Sequence, residues 1–121
     1  MILIVAGCAT SPERQARIAL AESSMPVCNG EEDCKAKWDA AQLWVVNNSA
    51  YRLQIATDVV LETYPATDYT VRLAMRVTKE PLGEGNHRIN LIAYCANLLG
   101  CDPDPVESKI AFNNYVSSIT P

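Results

Sequence analysis

Residues 52–97, RLQIATDVVLETYPATDYTVRLAMRVTKEPLGEGNHRINLIAYCAN, decide the fold. They hold three runs of period-two alternation, over 53–64, 70–79 and 88–95. Side chains on a strand point alternately to opposite faces, so each run reads as a strand with one buried face. In the first run Leu53, Ile55, Val59, Leu61 and Thr63 share that face. Val71, Leu73, Met75 and Val77 share it in the second, and Ile89, Leu91, Ala93 and Cys95 in the third. Turn formers separate the runs: Pro65-Ala66-Thr67-Asp68, then Pro81-Leu82-Gly83-Glu84-Gly85-Asn86.

Charge supplies a register. Folding the first hairpin at 66–67 sets Leu61 against Leu73, Val59 against Met75, Glu62 against Arg72 and Asp58 against Arg76. Folding the second at Gly83 sets Val77 against Ile89, Met75 against Leu91 and Arg72 against Tyr94. Opposite charges across a strand pair contribute roughly 0.2–1 kcal/mol. A slip of one residue would break the apolar and the charge pairing together. The expected centre is therefore a three-stranded antiparallel meander with residues 70–79 in the middle. One face needs a cover of helices. The other is polar, crossed by a small apolar stripe of Val60, Ala74 and Ile92.

Three helices flank the meander. Ser11-Pro12-Glu13 sets a capping hydroxyl before a proline at the first helical position, which predicts a leader helix to about Ala21. A second helix is expected over 33–47, with Cys34, Trp38, Ala41 and Val45 on one face and Lys35, Lys37, Asp39 and Gln42 on the wetter side. At this spacing Trp38 reads as a core anchor over the sheet. Asp104-Pro105-Val106-Glu107 has the form of a capping box. It opens a helix to about Ile119, with Ala111, Phe112, Tyr115, Val116 and Ile119 apolar. The fold class expected is α+β, in the order α-α-β-β-β-α. Domain organisation follows: residues 1–8 a signal remnant, 9–26 a leader helix and linker, and 27–121 one domain.

The chain has 121 residues, 49% of them hydrophobic, so it can bury a core as a single domain. Its net charge of −4 argues against nucleic acid, whose binding needs a basic footprint. It has no run of about 20 apolar residues to span a bilayer. Five cysteines in so short a chain point to an oxidising compartment. Cys28 and Cys34 bracket a turn with three acids, Glu31, Glu32 and Asp33, and Cys95 and Cys101 repeat the same spacing. Four cysteines allow three pairings. The matched spacing favours Cys28–Cys34 and Cys95–Cys101, and cross-pairing stays open. As a metal site each pair is short of ligands, because zinc wants more Cys or His and His87 is the sole histidine. No metal and no cofactor are expected.

At the N-terminus a short apolar run ends in Val5-Ala6-Gly7-Cys8, which resembles the lipobox of bacterial lipoproteins. The alternative from the residues alone is a short strand over 2–6 and a Gly-Cys turn. The resemblance implies cleavage of a signal peptide before Cys8 and acyl chains on that cysteine. It thereby implies a cell-envelope location facing the periplasm. Ala9, where an aspartate would favour the inner membrane, implies the outer membrane. With Cys8 lipidated, four cysteines remain for two disulfides. At the level of fold the arrangement also resembles small outer-membrane assembly lipoproteins with two helices on a three-stranded sheet.

No constellation of nucleophile, base and orienting group stands out. His87 reads as a solvated hairpin residue, and Asp58 and Glu62 face arginines that would keep them ionised. The expected function is a lipid-anchored binding or structural module, not an enzyme, whose partner is another envelope protein. The candidate partner surface is Arg52, Arg72, Arg76, Arg88 and Tyr94 around Val60, Ala74 and Ile92. The alternative is a tethered inhibitor of a cell-wall hydrolase, with residues 81–86 as the inserted loop.

Overall fold

A computed structural model describes residues 11–67 and 69–121. The elements run α1 (Pro12–Ser23), β1 (Val27–Asn29), α2 (Gly30–Asn48), β2 (Leu53–Ala56), β3 (Val60–Thr63), β4 (Ala74–Gly83), β5 (Asn86–Tyr94) and α3 (Pro105–Ser117). The class is α+β, with three helices and one open antiparallel sheet of order β1-β5-β4-β3-β2 among the described residues. The expected three strands are five, for two local reasons.

The first expected strand is a hairpin. Thr57 turns the chain: its Oγ1 accepts from the Val59 and Val60 amides, and its own amide donates to the Val60 carbonyl. The alternation continues across this turn by coincidence, so the apolar pattern concealed it. Val59, expected inside, is 52% exposed, whereas Leu61 and Thr63 are buried. The fifth strand, β1, is three residues long and pairs with the start of β5. A segment that short carries no readable period.

In the paired centre of the sheet faces survive although register moves, whereas Ile55 and Val71, also expected inside, are exposed. Leu61 lies opposite Val77 rather than Leu73, and Glu62 opposite Arg76 rather than Arg72. Val77 lies opposite Leu91 and Met75 opposite Ala93, a shift of two from the expected pairing. Even shifts preserve which side chains face in, so the buried set on the sheet is still Leu61, Thr63, Met75, Val77, Ile89 and Leu91. The β4–β5 turn explains the shift. Glu84 (φ 57°) and Gly85 (φ 80°) are its two central residues, both left-handed, as a tight hairpin with matched twist requires. The chain folds there rather than at Gly83.

The helices cover the inner face as their caps and stripes dictate. Cys34, Trp38, Ala41 and Val45 of α2 are all buried against the sheet. Trp38 also donates its indole N–H to the Thr57 carbonyl at 2.9 Å. Lys37 departs from expectation: its stem is buried and its ammonium reaches Asp33 Oδ1 at 2.6 Å. In α3, Phe112 and Val116 are buried as expected, and Phe112 meets Trp44 edge-on at 5.4 Å. Ala111 and Tyr115, however, are exposed, and Ile110 and Asn113 are buried instead. The reason is α1, which packs along α3 and gives it a second buried flank. Arg14 pairs with Asp104, Arg17 with Glu107, and Asn113 Nδ2 donates to the Ala21 carbonyl. Both disulfides join the nearer cysteines, Cys28–Cys34 and Cys95–Cys101.

Candidate functional site

The β4–β5 hairpin has two ends, and each carries one disulfide. At its turn end, β1, the start of α2 and the start of β5 converge. The Gly30 amide donates to the Gly85 carbonyl at 3.1 Å, tying the helix to the turn. Gly30 (φ 83°) swings the chain from β1 into α2 with no intervening loop, a backbone conformation that favours glycine. Cys28 lies directly opposite His87 in the β1–β5 pairing. Cys34 comes down from α2, and its Sγ sits 3.7 Å from His87 Nδ1. The two sulfur atoms of Cys28 and Cys34 and a ring nitrogen of His87 all lie within 4.8 Å of one another. Sequence reasoning placed His87 on the hairpin correctly but left it in solvent. It is a half-buried strand residue against the disulfide. Only the short pairing of β1 brings them together, and that pairing was the illegible one.

Cys34 and His87 line a cleft of about 440 Å³ together with Trp38, Asp58 and Lys79, and Cys28 lies buried behind them. Lys79 Nζ lies 5.6 Å over the Trp38 ring. Asp58, expected opposite Arg76, belongs instead to the turn after β2 and to this cleft.

At the other end of the hairpin the chain forms a tip. Cys95–Cys101 closes a loop whose Leu98 and Leu99 are 92% and 99% exposed. Asn97 shapes it: Oδ1 accepts from the Leu99 amide at 2.8 Å, and Nδ2 donates to the Tyr69 carbonyl at 2.6 Å. Tyr69 is itself 75% exposed and left-handed (φ 56°), an uncommon backbone state for a bulky residue. The Asp102 amide holds the loop base to the Val71 carbonyl. The first turns of α1 and α3 lie at this same end, joined by the Arg14–Asp104 pair.

The expected partner surface is partly dispersed. Cross-strand rows on the outer face run Val60–Thr78–Asn90, Glu62–Arg76–Ile92 and Ala74–Tyr94. Val60, Ala74 and Ile92 therefore fall in three different rows and form no stripe. Ala74 is fully buried, so no partner can reach it. Arg72 precedes β4 and lines a cleft with Ser49, Asp102 and Pro103, off the sheet face. Arg76 keeps its expected partner class, meeting Glu62 at 3.6 Å. Arg88 lies against Glu80 at 2.7 Å, and Arg52 is exposed just before β2. Ile92 and Tyr94 stay exposed, at 49% and 41%.

Four carboxylates are held in the charged form by their partners. Glu80 accepts from Arg88, Asn90 and Thr78, which together pull its pKa down to about 2. Arg14 holds Asp104 below the usual carboxylate range, Arg17 does the same for Glu107, and Lys37 for Asp33. A general acid at neutral pH needs the opposite shift. Burial pushes Lys109 down, and its ammonium donates to Asn90 Oδ1 and the Leu91 carbonyl, at 2.6 and 2.7 Å. It thereby occupies an acceptor on the β5 edge that β1 leaves uncovered. Cys8, the expected lipidation site, and Asp68 lie outside the described residues. No described helix is long and apolar enough to cross a membrane.

Comparison with known protein families, curated proteins and solved structures returns no match.

Proposed function

We propose that this chain is a lipid-anchored module of the bacterial cell envelope, facing the periplasm, that binds another envelope protein and does no chemistry of its own. The observation that carries the binding part is the tip: Leu98 and Leu99, adjacent and almost wholly exposed, on a loop held by a disulfide. Large apolar side chains left in water at a braced position mark interaction sites. Each leucine, once buried by a partner, contributes roughly 1.5–3 kcal/mol. The bracing by Asn97 and Cys95–Cys101 keeps the ordering cost of binding small. Tyr69 beside the tip extends the contact, and Ile92 and Tyr94 near the end of β5 add a second patch.

The anchor part rests on Val5-Ala6-Gly7-Cys8. α1 begins at Pro12, at the tip end of the molecule, so a lipid on Cys8 would tether that end. If the module acts as an inhibitor of a wall hydrolase, the same exposure points to the 98–99 tip as the inserted element. Leu82, on the originally expected 81–86 loop, is 52% exposed.

The test is the intact mass of the protein from membranes of its own host, before and after reduction. A chain starting at Cys8, carrying acyl mass and gaining four hydrogens on reduction, supports the reading. An unmodified chain that keeps Met1 overturns the anchor and the envelope location with it.

A further inference from the structure

The geometry points to a second role for the turn end of the hairpin: with the Cys28–Cys34 bond reduced, Cys28, Cys34 and His87 bind one thiophilic d10 cation of the zinc type. Thiolate and imidazole are the ligand set such ions prefer. Zinc bonds of about 2.3 Å to sulfur and about 2.0 Å to nitrogen, at a tetrahedral angle, put the two ligand atoms about 3.5 Å apart. Cys34 Sγ and His87 Nδ1 already stand 3.7 Å apart. Cys28 faces His87 across a strand pair, so the third ligand comes from the adjoining position.

The S–S bond is not the sole tie between these elements. The β1–β5 pairing, the Gly30–Gly85 hydrogen bond and the Asn29 amide bound to Asp33 Oδ2 hold β1, α2 and β5 together when the bond is cut. Two buried thiols set free there would keep their neighbours. Cys34 and His87 line the cleft, so the remaining coordination position opens toward solvent and the ion has an entry path. Disulfide and metal exclude each other. Reduction delivers two electrons and two protons to the sulfurs, supplied by an external dithiol that itself becomes a disulfide. The divalent ion then displaces the two thiol protons to solvent. The Cys95–Cys101 pair, of equal spacing, has no histidine among its contacts and is an internal control.

The test uses the full chain with Cys8→Ser in every variant, reduced with a phosphine. The phosphine takes up a water oxygen as the disulfide gains its hydrogens. Cobalt(II) is the spectroscopic probe and zinc(II) its competitor. Expected are one equivalent of cobalt with thiolate charge-transfer and tetrahedral bands, and displacement by zinc. Cys95→Ser/Cys101→Ser should keep both, and Cys28→Ser/Cys34→Ser should lose both. His87→Ala should weaken zinc binding by at least about tenfold. The thermal melt of each oxidised variant verifies folding, and metal-dependent protection of the reduced chain gives a second readout. Unchanged affinity in His87→Ala, binding that follows Cys95 and Cys101, or no metal-dependent bands in the folded reduced chain would each overturn the site.

Discussion

Cys28–Cys34 and Cys95–Cys101 close loops of the same sequence separation, six, at opposite ends of one hairpin, yet they staple different things. The first is buried: Cys28 fully and Cys34 nearly so, both inside the hydrophobic core, with Cys34 against His87 at the edge of the cleft. The second is half exposed and carries two bare leucines. Equal loops give equal chain-entropy terms, about 2 kcal/mol each. The difference between the two regions is therefore one of surroundings. One disulfide belongs to the packing, and the other braces a loop whose two leucines gain nothing from the fold.

The largest consequence is in stability. Replacing Cys28 and Cys34 together by serine removes the loop term and buries two hydroxyls in the core, each costing roughly 1–3 kcal/mol more if unpaired. Replacing Cys95 and Cys101 should cost only about 2 kcal/mol. Urea unfolding of the two double variants should show the first losing at least twice as much. Equal losses would erase the distinction between the two ends.

A smaller effect, near the turn end, depends on pH. Glu80, across from Arg88 and near the turn end, has its folded pKa pulled down to about 2 from an ordinary 4.5. A lowered pKa contributes stability that is present above the ordinary value and lost as pH falls toward the folded one. The urea midpoint of the protein should therefore fall between pH 5 and pH 3. Glu80→Gln should fall less over that range, since it has no such carboxylate to protonate. Both partners are partly exposed, so the difference will be modest. Identical slopes would show that Glu80 is not held by its neighbours.

The smallest stability effect is expected at the tip. Leu98→Ser/Leu99→Ser removes side chains that touch nothing, and should move the urea midpoint by no more than about 0.5 kcal/mol equivalent. A larger loss would mean that the leucines pack on the fold.

How much of this was legible follows from the same physics. Period two placed Leu61, Met75, Val77, Ile89 and Leu91 inside, and it did so even though the register was misjudged. Faces depend on parity, which an even shift leaves intact. The caps of α1 and α3 were readable because Ser11, Pro12, Asp104 and Pro105 act within one turn. The Thr57 turn was hidden by an alternation that runs through it, although Thr57-Asp58 is itself turn chemistry. Asn113 was missed because its burial depends on α1, whose Ala21 is 92 residues away in sequence. His87 beside Cys34 needed the three-residue strand β1, too short to carry a pattern. The leucine tip was visible as Leu98-Leu99 inside a cysteine pair, but exposure is not a property of sequence. An apolar pair between disulfide-bonded cysteines reads equally well as core.

The most direct test of the binding role compares the two ends in the living host. A photoreactive residue is placed at Leu99 on the tip and, separately, at Leu82 near the hairpin turn. Irradiation should give one discrete protein adduct from position 99 and none from position 82. Adding Leu98→Ser to the chain labelled at 99 should weaken that adduct. An adduct from position 82 alone, or none from either position, would contradict the assignment of partner binding to the tip.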